Sequence, residues 1–142
     1  KNELWQGRIS KIESMSSLYW KQPSHIIKDN SIFDNYTPTF FVLKEDNQIV
    51  GVNSGFRTSE RIYRSRGVWV KEEYRNRGYG QILLMQAIIQ GKKEDCHWIW
   101  SMPRKLSLET YTKVGFKKRG KWIEHGVEFG PNCLVTRQLI YK

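Results

Sequence analysis

Apolar positions along the chain recur with two different periods, and the period changes near residue 38. Before it, Ile9, Ile12 and Met15 follow helical spacing and Leu18 and Tyr19 extend the stripe. Pro23 breaks that stripe, and Ser24 is placed to cap a short second helix. Pro38 ends the leading segment. From there the pattern predicts a hairpin, with strands at 39–43 and 49–52 joined by the turn residues Glu45-Asp46-Asn47-Gln48. A third strand is expected over 62–70, with Ile62, Val68 and Val70 sharing a side. A largely buried helix follows over 81–90, carried by Ile82, Leu83, Met85 and Ile89 and ended by Gly91. Next come a strand at 97–102 with Trp98 and Trp100 on one side, stopped by Pro103, and a short helix at 107–113 ended by Gly115. Two last strands are expected between Phe116 and Tyr141, joined at Gly130-Pro131-Asn132. That order predicts an α/β (α+β) sandwich on a mixed sheet.

No repeat, low-complexity run or Gly/Ser/Pro linker divides the sequence, and 142 residues suit a single domain spanning 1–142. No stretch approaches the roughly 20 apolar residues of a membrane span, and no leader pattern opens the chain, so cytoplasmic residence is the expectation. Cys96 and Cys133 stand apart, and His25, His97 and His125 are scattered, which predicts neither a disulfide framework nor a metal site. The net charge of +10 changes the picture of partners rather than of fold. It suits a solvated basic face, a polyanionic cofactor, or a nucleic acid or acidic protein. Arg57, Arg61, Tyr63, Arg64 and Arg66 concentrate the basic and aromatic character that would favour nucleic acid. The same charges would equally guard an edge strand.

The segment Arg75-Asn76-Arg77-Gly78-Tyr79-Gly80-Gln81 carries candidate chemistry, because a strand there passes through a tight loop into a helix. Gly78 and Gly80 let backbone approach a ligand. The first amides of the helix lack intrahelical acceptors and sit at the positive end of its dipole, which suits a phosphate. A tight turn flanked by two solvated arginines is the alternative. No Lys-Ser or Lys-Thr pair follows the glycines, so this is not a P-loop, and no third glycine makes a dinucleotide fingerprint.

Val68-Trp69-Val70, then Arg75-x-x-Gly78-x-Gly80 and an apolar helix, resembles the central motif of the GNAT superfamily of N-acetyltransferases. The run Arg104, Ser107, Tyr111, Gly115-Phe116 resembles that family's later motif, with Arg104 where the family often has Asn. The resemblance implies a mixed, mostly antiparallel sheet flanked by helices and splayed at the CoA-binding strands. It implies acetyl-CoA as cosubstrate, no metal, and transfer of the acetyl group to a primary amine by direct attack on the thioester. Carried over by position, Val68, Trp69 and Val70 would hold pantetheine, and the Val70 N–H would stabilise the oxyanion. Segment 75–81 would hold the pyrophosphate, and Ser107 would touch the CoA arm. Tyr111 would protonate the leaving thiolate; a tyrosine packed in the core beside Leu108 is the plain alternative.

The role of the family's Asn is not carried over to Arg104. Glu72, Glu73, Glu124 and His125 are candidate bases, although positioning alone can supply much of the rate. Two other readings remain at this point: a GNAT-like enzyme modifying aminoacyl-tRNA or a DNA base, and a non-catalytic CoA-binding module. The acceptor is not named by the sequence, and a monomer or a homodimer would serve.

Overall fold

The structure, a computed structural model, describes Tyr36 and residues 38–124 and 131–140. The helices expected before residue 33, His125 and the Gly130 end of the last turn lie outside those residues. Among the described residues six strands form one sheet: β1 (Thr39–Glu45), β2 (Gln48–Ser59), β3 (Ile62–Val70), β4 (Trp98–Ser101), β5 (Lys117–Lys118) and β6 (Val135–Gln138). Their order across the sheet is β1-β2-β3-β4-β6-β5. Only β3 and β4 run parallel, and every other neighbouring pair is antiparallel. A parallel pair needs a crossover, supplied here by helix α1 (Tyr79–Lys93); α2 (Leu108–Lys113) follows β4.

The first hairpin forms where turn chemistry predicts it. Asp46 and Asn47 both take left-handed φ values, 51° and 66°, as short polar side chains tolerate. β2 runs on to Ser59, well past the expected end at 52, because its antiparallel pairing with β3 continues to Ser59↔Ile62.

Between Val52 and Ser54 of β2 stands one residue, Asn53, while Gly67 and Val68 lie between their partners on β3. Gly67 takes φ 88°, a conformation glycine adopts without penalty. This bulge corrects the expected alternation. Ile62 falls on one face, whereas Val68 packs toward the core under the helices and Val70 shares Gly51's side, next to Leu83. One inserted residue flips every later side chain.

The core lies between the sheet and the two helices, and includes Tyr63, Leu84, Ile88, Ile99, Tyr111, Phe116 and Val135. Cys96 and Cys133 are buried there as free thiols. The buried stripe of α1 is Leu83, Leu84, Ala87, Ile88 and Gly91, while Ile82, Met85 and Ile89 lie exposed. This corrects the sequence reading, which placed all its apolar residues in a buried helix: one helix on one sheet buries a single stripe.

Gly91 does not end α1. It sits inside the helix because a Cβ there would come within 2.9 Å of Leu139 Cδ1 and 3.4 Å of Tyr63 Cβ. The helix ends at Lys93 with Glu94 as its C-cap, followed by Asp95 at φ 59°. At the far edge, the two expected final strands reduce to the short β5, the bridge Ile123↔Asn132, and β6.

Among the described residues Tyr63 is the largest fully buried side chain, and its ring occupies the space where a Cβ at Gly55 would stand. Gly55→Ala should therefore cost about 1–3 kcal/mol through overpacking. Gly120→Ala, where nothing lies within 4 Å, should change stability by less than about 0.5 kcal/mol. Chemical denaturation of the two variants measures the contrast.

Candidate active site

Backbone pairing between β3 and β4 stops after three residue pairs, Ile62↔Trp98, Tyr63↔Ile99 and Arg64↔Trp100. At the next step a side chain replaces the ladder, as Ser101 Oγ donates to the Ser65 carbonyl at 2.7 Å. β4 then ends, with Pro103 two residues on, while β3 continues to Val70 against β2 alone. The strands thus part into a gap. Lys71 N–H donates to the Val50 carbonyl of β2 at 2.7 Å. Backbone groups alternate sides along a strand, so those of Val70 and Val68 face the gap. Trp69 turns its own toward its partner Val52 and buries its indole with Ile49 and Val52.

The loop after β3 adjoins this gap. Glu72–Tyr74 form one 3₁₀ turn, and Asn76 and Gly78 both adopt left-handed backbone, φ 64° and 82°. Gly78 is the N-cap of α1 and supplies no capping side chain. The first helical bond runs from Ile82 N–H to the Gly78 carbonyl at 3.2 Å. The N–H groups of Tyr79, Gly80 and Gln81 therefore have no acceptor within the helix.

The side chains around the loop act as braces. Arg75 Nε donates to the Val70 carbonyl at 3.0 Å. Arg77 lies 5.1 Å over the Tyr74 ring, which stacks on Tyr79 at 6.3 Å. Tyr79 Oη donates to Glu45 Oε2 at 2.6 Å, tying the start of α1 to β1. Gly80 answers to helix packing, since a Cβ there would lie 3.1 Å from Thr110 Cγ2 on α2.

Tyr111 projects from α2 into the core and is 4% exposed. Its ring meets Phe116 edge-on, at 5.3 Å between centroids. Its hydroxyl reaches the parting point of the strands, 3.2 Å from Ser101 Oγ. Burial pushes the phenol pKa up, opposed by the Ser101 hydrogen bond and the Arg64 charge, so the group holds its proton at neutral pH. Ser107 stands one turn earlier, half-buried, at the junction of a 3₁₀ turn and α2. Arg104 forms an isolated bridge with Asn132, whose side chain donates to the Met102 carbonyl at 2.7 Å. Glu72, Glu73 and Glu124 are exposed.

A cavity of about 630 Å³ opens beside the loop, between α1, the end of α2 and β6. Gly78, Gln81, Ile82, Met85 and Val114 line it together with two cations, Lys113 and Arg137. Arg137 Nε is buried without a hydrogen-bond partner, although Nη1 donates to the Gln138 carbonyl at 3.2 Å. Sequence reasoning missed both residues. Among 24 lysines and arginines, nothing local sets them apart.

The basic cluster of the sequence does not form one patch. Arg57 pairs with Glu94 at 3.0 Å, Arg61 donates to the Asp95 carbonyl at 3.1 Å, and Tyr63 is fully buried. Arg64 stacks over Trp100 at 4.3 Å.

A family model described as the acetyltransferase (GNAT) family matches residues 9–116. The chain belongs to this family. Solved structures share the family's fold. A candidate N-acetyltransferase from Lactobacillus plantarum is 15% identical with a TM-score of 0.65, covering 95% of this chain and 86% of its own. A GNAT family acetyltransferase from Elizabethkingia anophelis with acetyl-CoA bound is 20% identical (TM-score 0.62, 78% and 80% covered). The PaiA N-acetyltransferase of Thermoplasma acidophilum, in complex with coenzyme A, is 17% identical (TM-score 0.60, 71% and 60% covered). No curated protein matches. The mixed, mostly antiparallel GNAT sheet expected from the sequence is thus present.

Because Gly80 packs against Thr110, Gly80→Val should lose about 1–3 kcal/mol of stability. Thr110→Ser, which removes the opposing methyl, should recover part of it. Denaturant midpoints of the single and double variants test the pairing; an unaltered midpoint in Gly80→Val would show that the helices have room to spare.

Proposed function

We propose that the protein is an N-acetyltransferase that moves the acetyl group of acetyl-CoA to a primary amine. The observation that carries this reading is the meeting of three features at one place: the gap between β3 and β4, the open amides of α1 beside it, and the Tyr111 hydroxyl at its inner end. Acetyl-CoA supplies an activated acyl thioester.

The residues present fit the cosubstrate. The amides of Tyr79, Gly80 and Gln81, at the positive end of α1, suit its pyrophosphate. The gap-facing backbone of Val68 and Val70 suits the amides of its pantetheine arm. Arg75, Asn76 and Arg77 shape and charge the loop, and Ser107 lies on the α2 side of the same site. The cavity continues from Gly78 and Gln81 to Lys113 and Arg137. It suits the nucleotide end, with apolar surface for the base and two cations for the 3′-phosphate.

The Val70 N–H can donate to the thioester oxygen as charge gathers there. Tyr111 holds a proton that the departing thiolate can take. The exposed Glu72, Glu73 and Glu124 have no such placement, so deprotonation of the amine by water suffices in this reading. Dispersal of the basic residues over both faces weakens the nucleic-acid alternative.

Tyr111→Phe keeps the ring and its contact with Phe116. It should lower kcat and kcat/KM together by about a hundred- to ten-thousandfold, with the dissociation constant for CoA unchanged by calorimetry. The phenol donates below its pKa. That value is raised, so any alkaline fall in kcat from this group should lie above the ordinary phenol value of about 10. Near-normal turnover in Tyr111→Phe would leave Tyr111 a core residue only.

Replacing Lys113 and Arg137 together by Met should weaken acetyl-CoA by about tenfold or more, yet leave 3′-dephospho-acetyl-CoA nearly unaffected. Steady-state KM for the two thioesters measures the difference.

A further inference from the structure

On the face of the sheet away from α1 and α2, Arg64 stands beside Trp100. Arg64 is the last residue of β3 to pair with β4 before the strands part, so its side chain stands at the mouth of the gap on that face. Its guanidinium lies 4.3 Å over the Trp100 ring. Trp100 Nε1 in turn donates to Thr58 Oγ1 on β2 at 3.1 Å, which fixes the indole across β3. Stacking occupies the flat face of a guanidinium and leaves its N–H edge to bind.

Arg64 Nε is buried and makes no hydrogen bond. Among the described residues no carboxylate pairs with Arg64. Burial, and then the charge of Arg66 two residues along, push its pKa down to about 10, so it remains a cation at neutral pH. Its charge also reaches Tyr111, across the thickness of the sheet. A rigid, partly desolvated guanidinium with an unsatisfied donor is costly to maintain. An oxyanion arriving with a ligand would relieve that cost.

Among the described residues, the helix side of the gap is filled by the core and by the elements read above as the CoA site, which leaves the other face, past Arg64, for the acceptor. We infer that the acceptor is an amine whose molecule also carries an oxyanion, carboxylate or phosphate, and that Arg64, held on Trp100, binds that group and sets substrate choice. This rests on the acetyl-transfer reading. Arg64 is a specificity residue and takes no part in proton transfer.

The test compares acetylation of matched amines of two to five carbons: ω-amino carboxylic acids, aminoalkyl phosphates, and neutral amino alcohols. The wild-type enzyme should favour one oxyanion series over the alcohols by about ten- to a hundredfold in kcat/KM, and the favoured series identifies the group. In Arg64→Gln that ratio should collapse toward one, chiefly through KM for the anionic probes. Arg64→Lys, which keeps the charge but not the planar fork, should hold an intermediate ratio, and so should Trp100→Leu. A wild-type preference for the neutral alcohols overturns the inference while acetyl transfer stands. So does an Arg64→Gln variant that loses activity equally on all three series. Failure to acetylate any amine, with acetyl-CoA still bound in calorimetry, overturns the transfer reading itself.

Discussion

The parting of β3 from β4 is the constraint on which the site depends. Two local causes produce it. β4 is four residues long and is followed closely by Pro103, so it cannot accompany β3 to its end. The extra residue at Gly67 bends β3 just where its β4 partner runs out. Without the gap, Val68 and Val70 would spend their backbone groups on a neighbouring strand. Tyr111 would then end in a closed core. The Ser101–Ser65 bond marks the last point at which the two strands are held together.

Several of the arginines work as scaffolding. Arg75 ties the loop back to Val70, Arg57 pairs with Glu94, and Arg61 caps the turn after α1. These arginines are held by the chain itself, whereas three other cations adjoin the candidate site. Lys113 and Arg137 line the cavity on the helix side, and Arg64 stands on the opposite face. The two sides of the gap thus carry separate cations.

Tyr111 shows that structural and chemical readings need not exclude each other. Its ring is core, packed against Phe116. Its oxygen lies 3.2 Å from Ser101 Oγ, where the two strands part. The burial that stabilises the fold also holds the phenol protonated, which is the state a proton donor requires.

The sequence by itself determined the order and type of the elements from β1 to α2, because each is governed by short-range signals: turn residues at Asp46-Asn47, β-rich runs, glycines at 78 and 80, and Pro103. It also singled out the loop and Tyr111 through motif spacing. Periodicity misjudged three things for physical reasons. The bulge at Gly67 reverses the faces of β3, since its effect depends on pairing with Asn53. Gly91 makes room for neighbours distant in sequence, Tyr63 and Leu139, so a terminator could not be told from close packing. The apolar stripe of α1 is shared between core and surface, because the sheet covers only one side. Only the tertiary structure decided which cations converge. Arg64 meets Trp100, and Lys113 and Arg137 come to line one cavity, through strand register and helix placement, and no local pattern encodes distances between residues 24 or more positions apart.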